Sequence, residues 1–153
     1  MGEFDLIARY CTRPARRAVL GVGDDCALLA PTPGMQLAVS SDMLVEGRHF
    51  FADTDPERLG HKALAVNLSD LAAMGAEPLG CTLALALPPE RARDAGWLTA
   101  LARGLFALAD AQACPLIGGD TTAGPLNLCL TLFGQVPAGQ ALRRDGAQAG
   151  YHI

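Results

Sequence analysis

Apolar and polar positions run in short stretches at the start of this chain and switch to helical spacing twice further on. Cys26–Ala30 and Met35–Ser41 read as strands joined by the Pro31-Thr32-Pro33-Gly34 turn, and so brief a connection predicts an antiparallel hairpin. Asp53-Thr54-Asp55-Pro56 announces a helix, with proline where a first turn needs no amide hydrogen, and the pattern stops near Gly75. At about 100° per residue, Leu59, Ala63, Val66 and Asp70 form one stripe of that helix and Leu64, Leu68 and Leu71 another. Leu79–Leu87 is a third strand. A second helix opens after Pro88-Pro89 and runs to about Gln112, burying Trp97, Leu101, Leu105 and Leu108. Gly96 and Gly104 weaken it by about 1 kcal/mol each, which leaves a break near Gly96 open. Leu116–Ile117 gives a short fourth strand and Leu126–Val136 a long fifth, after the Ala123-Gly124-Pro125 turn. The order β-β-α-β-α-β-β predicts an α/β or α+β domain, with helices packed on one face of a mixed, mostly antiparallel sheet.

Composition narrows the function classes. With 153 residues the chain can build one domain with a real core but is short for an enzyme that closes two domains around two substrates. A net charge of -4, with Lys62 the only lysine, argues against nucleic acid as a partner. No stretch is long and apolar enough to predict a membrane span, and the start, broken by Glu3, Asp5 and Arg9, lacks a signal-peptide core. The cysteines Cys11, Cys26, Cys81, Cys114 and Cys129 form no CxxC pair, which excludes the usual zinc spacings. Three of them sit inside apolar runs and read as small core residues in a reducing, cytoplasmic setting.

Four acidic clusters then change the picture: Gly23-Asp24-Asp25, Ser40-Ser41-Asp42, Asn67-Leu68-Ser69-Asp70 and Gly118-Gly119-Asp120, each set in an otherwise apolar segment. Buried carboxylates cost several kcal/mol each unless a cation or donor compensates them, and the economical compensation is magnesium carrying a polyphosphate. Gly21-Val22-Gly23 lacks the third glycine of a dinucleotide fingerprint and no GxxxxGK[ST] occurs, so neither common nucleotide cradle is present. Without a P-loop lysine, metal ions must supply most of the neutralisation, while Gly118 and Gly119 would let backbone amides approach phosphates. His49 stands in a loop beyond an acidic strand, and Arg143-Arg144 is either a surface pair or a phosphate clamp.

Five of these stretches in order, Gly-Glu-Phe-Asp-Leu-Ile-Ala-Arg from Gly2, Gly-Val-Gly-Asp-Asp-Cys-Ala-Leu-Leu from Gly21, Ser-Ser-Asp-Met-Leu-Val-Glu-Gly-Arg-His-Phe from Ser40, Lys-Ala-Leu-Ala-Val-Asn-Leu-Ser-Asp-Leu from Lys62 and Leu-Ile-Gly-Gly-Asp-Thr-Thr from Leu116, resemble the thiamine-monophosphate kinases. That family lies in the superfamily of aminoimidazole ribonucleotide synthetase. The resemblance implies the first domain of that fold and ATP-dependent phosphorylation of thiamine phosphate to thiamine diphosphate. It implies several magnesium ions, held by Asp25, Ser40, Ser41, Asp42, Asp70 and Asp120, with Asp24 a weaker candidate. It gives Gly119, Asp120 and Arg144 to ATP and His49 to thiamine phosphate. No residue is assigned as general base, because in-line phosphoryl transfer depends on positioning and charge neutralisation.

The same resemblance divides the chain into residues 1–137, a metal- and phosphate-binding, dimerising domain, and residues 138–153, a linker toward a second α/β domain. It implies a homodimer built by strands of two first domains. A sister ATP-using enzyme and a non-catalytic dimerisation or binding module are the alternative readings.

Overall fold

The computed structural model describes residues 3–15 and 18–151; Met1, Gly2, Arg16, Arg17, His152 and Ile153 lie outside them, and with them the outer ends of the expected domain and linker. The elements are α1 (Glu3–Tyr10), β1 (Met35–Val45), α2 (Pro56–Ala73), β2 (Glu77–Leu87), α3 (Pro89–Arg93), α4 (Ala95–Ala111), β3 (Leu116–Ala123) and β4 (Asn127–Pro137). One four-stranded sheet has the order β1-β4-β2-β3. β4 pairs antiparallel with both β1 and β2, whereas β2 and β3 run parallel, joined by a helical crossover. The mixed, mostly antiparallel sheet is therefore as anticipated. Among the described residues no helix is long and apolar enough to cross a membrane.

Helices α2 and α4 pack together and cover one face of the sheet. Leu128, Leu130 and Leu132 of central β4, all at most 1% exposed, meet Leu83, Leu85, Leu59 and Leu64 in this core. The helices start where side chains replace missing backbone partners. Asp55 Oδ1 accepts from the Arg58 amide and Asp94 Oδ1 from the Trp97 amide, each at 2.9 Å. α2 ends before Gly75, which takes φ +69° as its amide donates back to Ala72 O. The two helices cross very closely: a Cβ on Gly60 would overlap the Leu101 carbonyl oxygen, and one on Gly104 the Glu57 carbonyl oxygen. At the rim of this crossing Arg103 hydrogen-bonds Glu57 and holds its carboxyl below the usual range. At the other end Arg91 Nη2 donates to Ala52 O at 3.1 Å, and the Arg91 guanidinium lies 5.3 Å from the centre of the Trp97 ring.

Three sequence expectations change. Cys26–Ala30 is not a strand and makes no hairpin with β1; Leu28 only bridges back to Leu20. β3 is longer than Leu116–Ile117, because pairing with β2 draws the glycine- and threonine-rich stretch into the sheet. The break left open near Gly96 does occur, two residues earlier at Asp94, which caps α4. Asp70 also falls at the exposed margin of α2, whose buried face is Leu59, Gly60, Ala63, Leu64, Asn67 and Leu71.

Cys81 and Cys114 are fully buried thiols in this core. Hydrogen bonding with Cys114, then burial, holds the Cys81 thiol well above an ordinary value. The folded chain thus keeps this proton while the unfolded chain releases it above about pH 8.5. The stabilisation is complete below that pH and declines above it, by up to about 1.4 kcal/mol per pH unit. Urea midpoints should fall between pH 8 and pH 10, and Cys81→Ala should flatten that decline; an equal slope in both chains would refute the assignment.

Candidate metal and phosphate site

The acidic residues fall into two groups at opposite edges of the sheet. On β1 the pleat sends Ser40 and Asp42 toward α2 and Ser41 to the uncovered face. Ser40 Oγ donates to Asp70 Oδ2 at 2.7 Å, tying the strand edge to the helix margin. Asp42 shares the face of Ser40, half-buried beside this pair. Ser41 instead lies 2.9 Å from Thr131 Oγ1, donates to Leu130 O at 3.2 Å, and is directed away from Asp70.

The other group surrounds a cavity of about 990 Å³ bounded by α1, the segment 22–31 and β3. Asp24, Asp25, Gly119 and Asp120 all line it, with Val22, Leu29, Ile117 and Phe133 as apolar walls. Asp24 Oδ1 accepts from the Asp25 amide at 2.9 Å, which fixes this turn. Gly119, at φ +147°, is required by packing: a Cβ there would overlap the Leu83 carbonyl of β2. Gly119 thus has a structural reason independent of any phosphate, whereas a Cβ on Gly118 would make only ordinary contact with Thr82.

β1 and β3 are the two edge strands, three strand spacings or about 14 Å apart, so Ser40 and Asp70 cannot share one ion with Asp120 in one chain. Among the described residues no three His, Cys, Asp or Glu side chains stand close enough together to hold a metal. Magnesium nevertheless fits the donor chemistry, since it takes one or two carboxylates and completes its shell with water and phosphate oxygens. Asp24, Asp25, Asp42, Asp70 and Asp120 are acceptor-only oxygens with no arginine or lysine partner among the described residues.

His49 and Arg144 stand apart from both groups. His49 is exposed on the loop between β1 and α2, where its Nδ1 accepts from the Val45 amide at 3.0 Å. Arg144 is exposed in the segment after β4 and does not line the cavity, while its neighbour Arg143 pairs with Asp145 at 2.8 Å. In the sequence Asn67 stands only as part of the motif ending at Asp70, with no role of its own. It is wholly buried one turn before Asp70, with Nδ2 donating to Ala63 O at 3.2 Å and Oδ1 lacking a hydrogen-bond partner. A poor helix former amid apolar residues was the available signal.

Comparison with known proteins gives this geometry its relatives. The thiamine-monophosphate kinase of Salmonella typhimurium is 55% identical over 152 residues, covering 97% of this chain and 46% of that protein. The crystal structure of thiamine-monophosphate kinase from Stenotrophomonas maltophilia superposes with TM-score 0.79 at 55% identity, over 87% of this chain and 41% of that one. The structure of AaThiL complexed with AMPPCP and TMP gives TM-score 0.70 at 27% identity, over 78% and 38%. The chain therefore spans about half the length of the relatives it matches. Residues 23–136, from the Gly-Asp-Asp turn through nearly all of β4, match the family model described as AIR synthase related protein, N-terminal domain, and the chain belongs to that family.

Proposed function

We propose that this chain is the metal-binding, dimerising part of a thiamine-monophosphate kinase, which transfers the γ-phosphoryl group of ATP to thiamine phosphate. The observation that carries this reading is the set of five aspartates that have no cationic partner among the described residues, held on a fold that AaThiL also uses in its complex with AMPPCP and TMP. Magnesium at Asp24, Asp25 and Asp120, and at Asp42 and Asp70 with Ser40, would neutralise the phosphate oxygens of two anions that otherwise repel. Gly119 and Arg144 contribute to the ATP phosphates and His49 to thiamine phosphate. The chain's own task is positioning: strand and helix margins fix the carboxylates before the nucleotide arrives. Residues 1–137 would be the working domain and residues 138–153 the linker toward a second domain. Its five free cysteines suit a cytoplasmic enzyme.

The dimer belongs to the same reading. Leu37, Val39 and Met43 leave about half their surface exposed on the uncovered face of β1, an apolar strip suited to a second copy. Because the two acidic groups occupy opposite edges of one sheet, a second copy lets them face the same nucleotide. Titration calorimetry of ATP with and without magnesium tests the function. Heat that requires magnesium is expected, and its absence would leave a binding module that has kept acidic motifs without a phosphate site.

A further inference from the structure

The most exposed large apolar side chain among the described residues is Phe51, at 80%, and it stands on a loop fixed by many hydrogen bonds. The Gly47 amide donates to Phe50 O at 2.8 Å and the Thr54 amide to Phe51 O at 3.0 Å. The Phe51 amide donates to Thr54 Oγ1 at 3.1 Å and Lys62 Nζ to His49 O at 2.6 Å. Phe50 is buried and anchors the loop inward, leaving its neighbours His49 and Phe51 in solvent. A phenyl ring kept in water adds nothing to the fold. On a fixed backbone it forms a preorganised contact surface that loses little freedom on binding.

Two neighbours supply complementary chemistry. His49 Nδ1 is occupied as an acceptor from the Val45 amide, so in the neutral ring the proton sits on Nε2, which is a donor. Arg48 is exposed and has no ion-pair partner among the described residues. Within four consecutive positions the loop presents two donors for anionic oxygen and one aromatic face.

We infer that Phe51 is the stacking platform for the heterocycle of the phosphorylated substrate, while Arg48 and His49 meet its phosphate. The ligand class is a phosphate monoester bearing a cationic aromatic ring. The inference rests on the thiamine phosphate reading, whose thiazolium carries a permanent positive charge that the face of a phenyl ring attracts.

Thiamine phosphate, inorganic phosphate and magnesium-ATP are titrated separately into the unaltered chain, Phe51→Ala, Phe51→Tyr and His49→Ala. Phe51→Ala should weaken thiamine phosphate about tenfold and leave the other two ligands unchanged, and Phe51→Tyr should restore it. His49→Ala should weaken thiamine phosphate and inorganic phosphate together. Equal thiamine phosphate affinity in the unaltered chain and Phe51→Ala would overturn the inference, as would a loss confined to ATP, which would give the ring to adenine. An unaltered chain that binds magnesium-ATP but no thiamine phosphate would overturn the inference and leave the nucleotide site standing. One that binds neither would overturn both.

Discussion

Asp70→Asn and Asp120→Asn are each expected to weaken magnesium-dependent ATP binding by about 100-fold or more, because each removes the only charge its group can offer from that position. Neither should unfold the chain, since both carboxylates are exposed and neither has a cationic partner among the described residues to orphan. The informative result comes from mixing the two. If a second copy supplies one edge of each site, random exchange should restore binding to about one quarter of the sites, because half the dimers are hybrids and each hybrid has one intact site. Calorimetric stoichiometry measures that fraction. A mixture as weak as its parents would mean that both groups act within one chain, and unimpaired binding in either variant would remove that aspartate from the site.

Gly104→Ala should cost the fold about 3 kcal/mol or more, a large part of the stability of a domain this size. The added methyl has no room: it would overlap the Glu57 carbonyl of α2, and backbone cannot rotate aside as a side chain can. Gly60→Ala meets the Leu101 carbonyl from the opposite helix and should cost about as much. Gly96→Ala is the control. Its Cβ would meet only Asp94 Oδ1, at 3.4 Å, so it should be neutral or gain about 0.5 kcal/mol through helix propensity. Urea midpoints compare the three, and a Gly104→Ala chain as stable as its parent would show that α2 and α4 can separate without loss.

How far the sequence discloses this architecture depends on whether each signal is local. α2 is legible at both ends, because Asp55-Pro56 and Gly75 act on the backbone within a few residues. β2 and central β4 are legible from their apolar runs. β3 is legible only at its apolar start, Leu116–Ile117, since Gly118 to Thr122 becomes strand by pairing with β2, which no local pattern records. Cys26–Ala30 misleads in the opposite sense: it has a strand's composition, but its neighbour Leu20 offers one bridge and no ladder. The short amphipathic α1 escaped because eight residues carry too little periodicity, although Leu6 reaches the core. For the site, each acidic motif could be picked out one by one. Their division between two edges follows from strand order, and the opposite directions of Ser40 and Ser41 follow from a register that a dipeptide cannot reveal.

Arg91 joins two otherwise separate places, accepting neither as its own: it grips the carbonyl of Ala52 next to Phe51 and rests its charge against the indole of Trp97, the sole tryptophan of the chain. Indole emission shifts with the charges around it, so the molecule carries a native fluorophore wired to the tip of that loop. Ligand capture there is expected to shift the emission of Trp97 without any label, whereas events beside β3 should leave it unchanged.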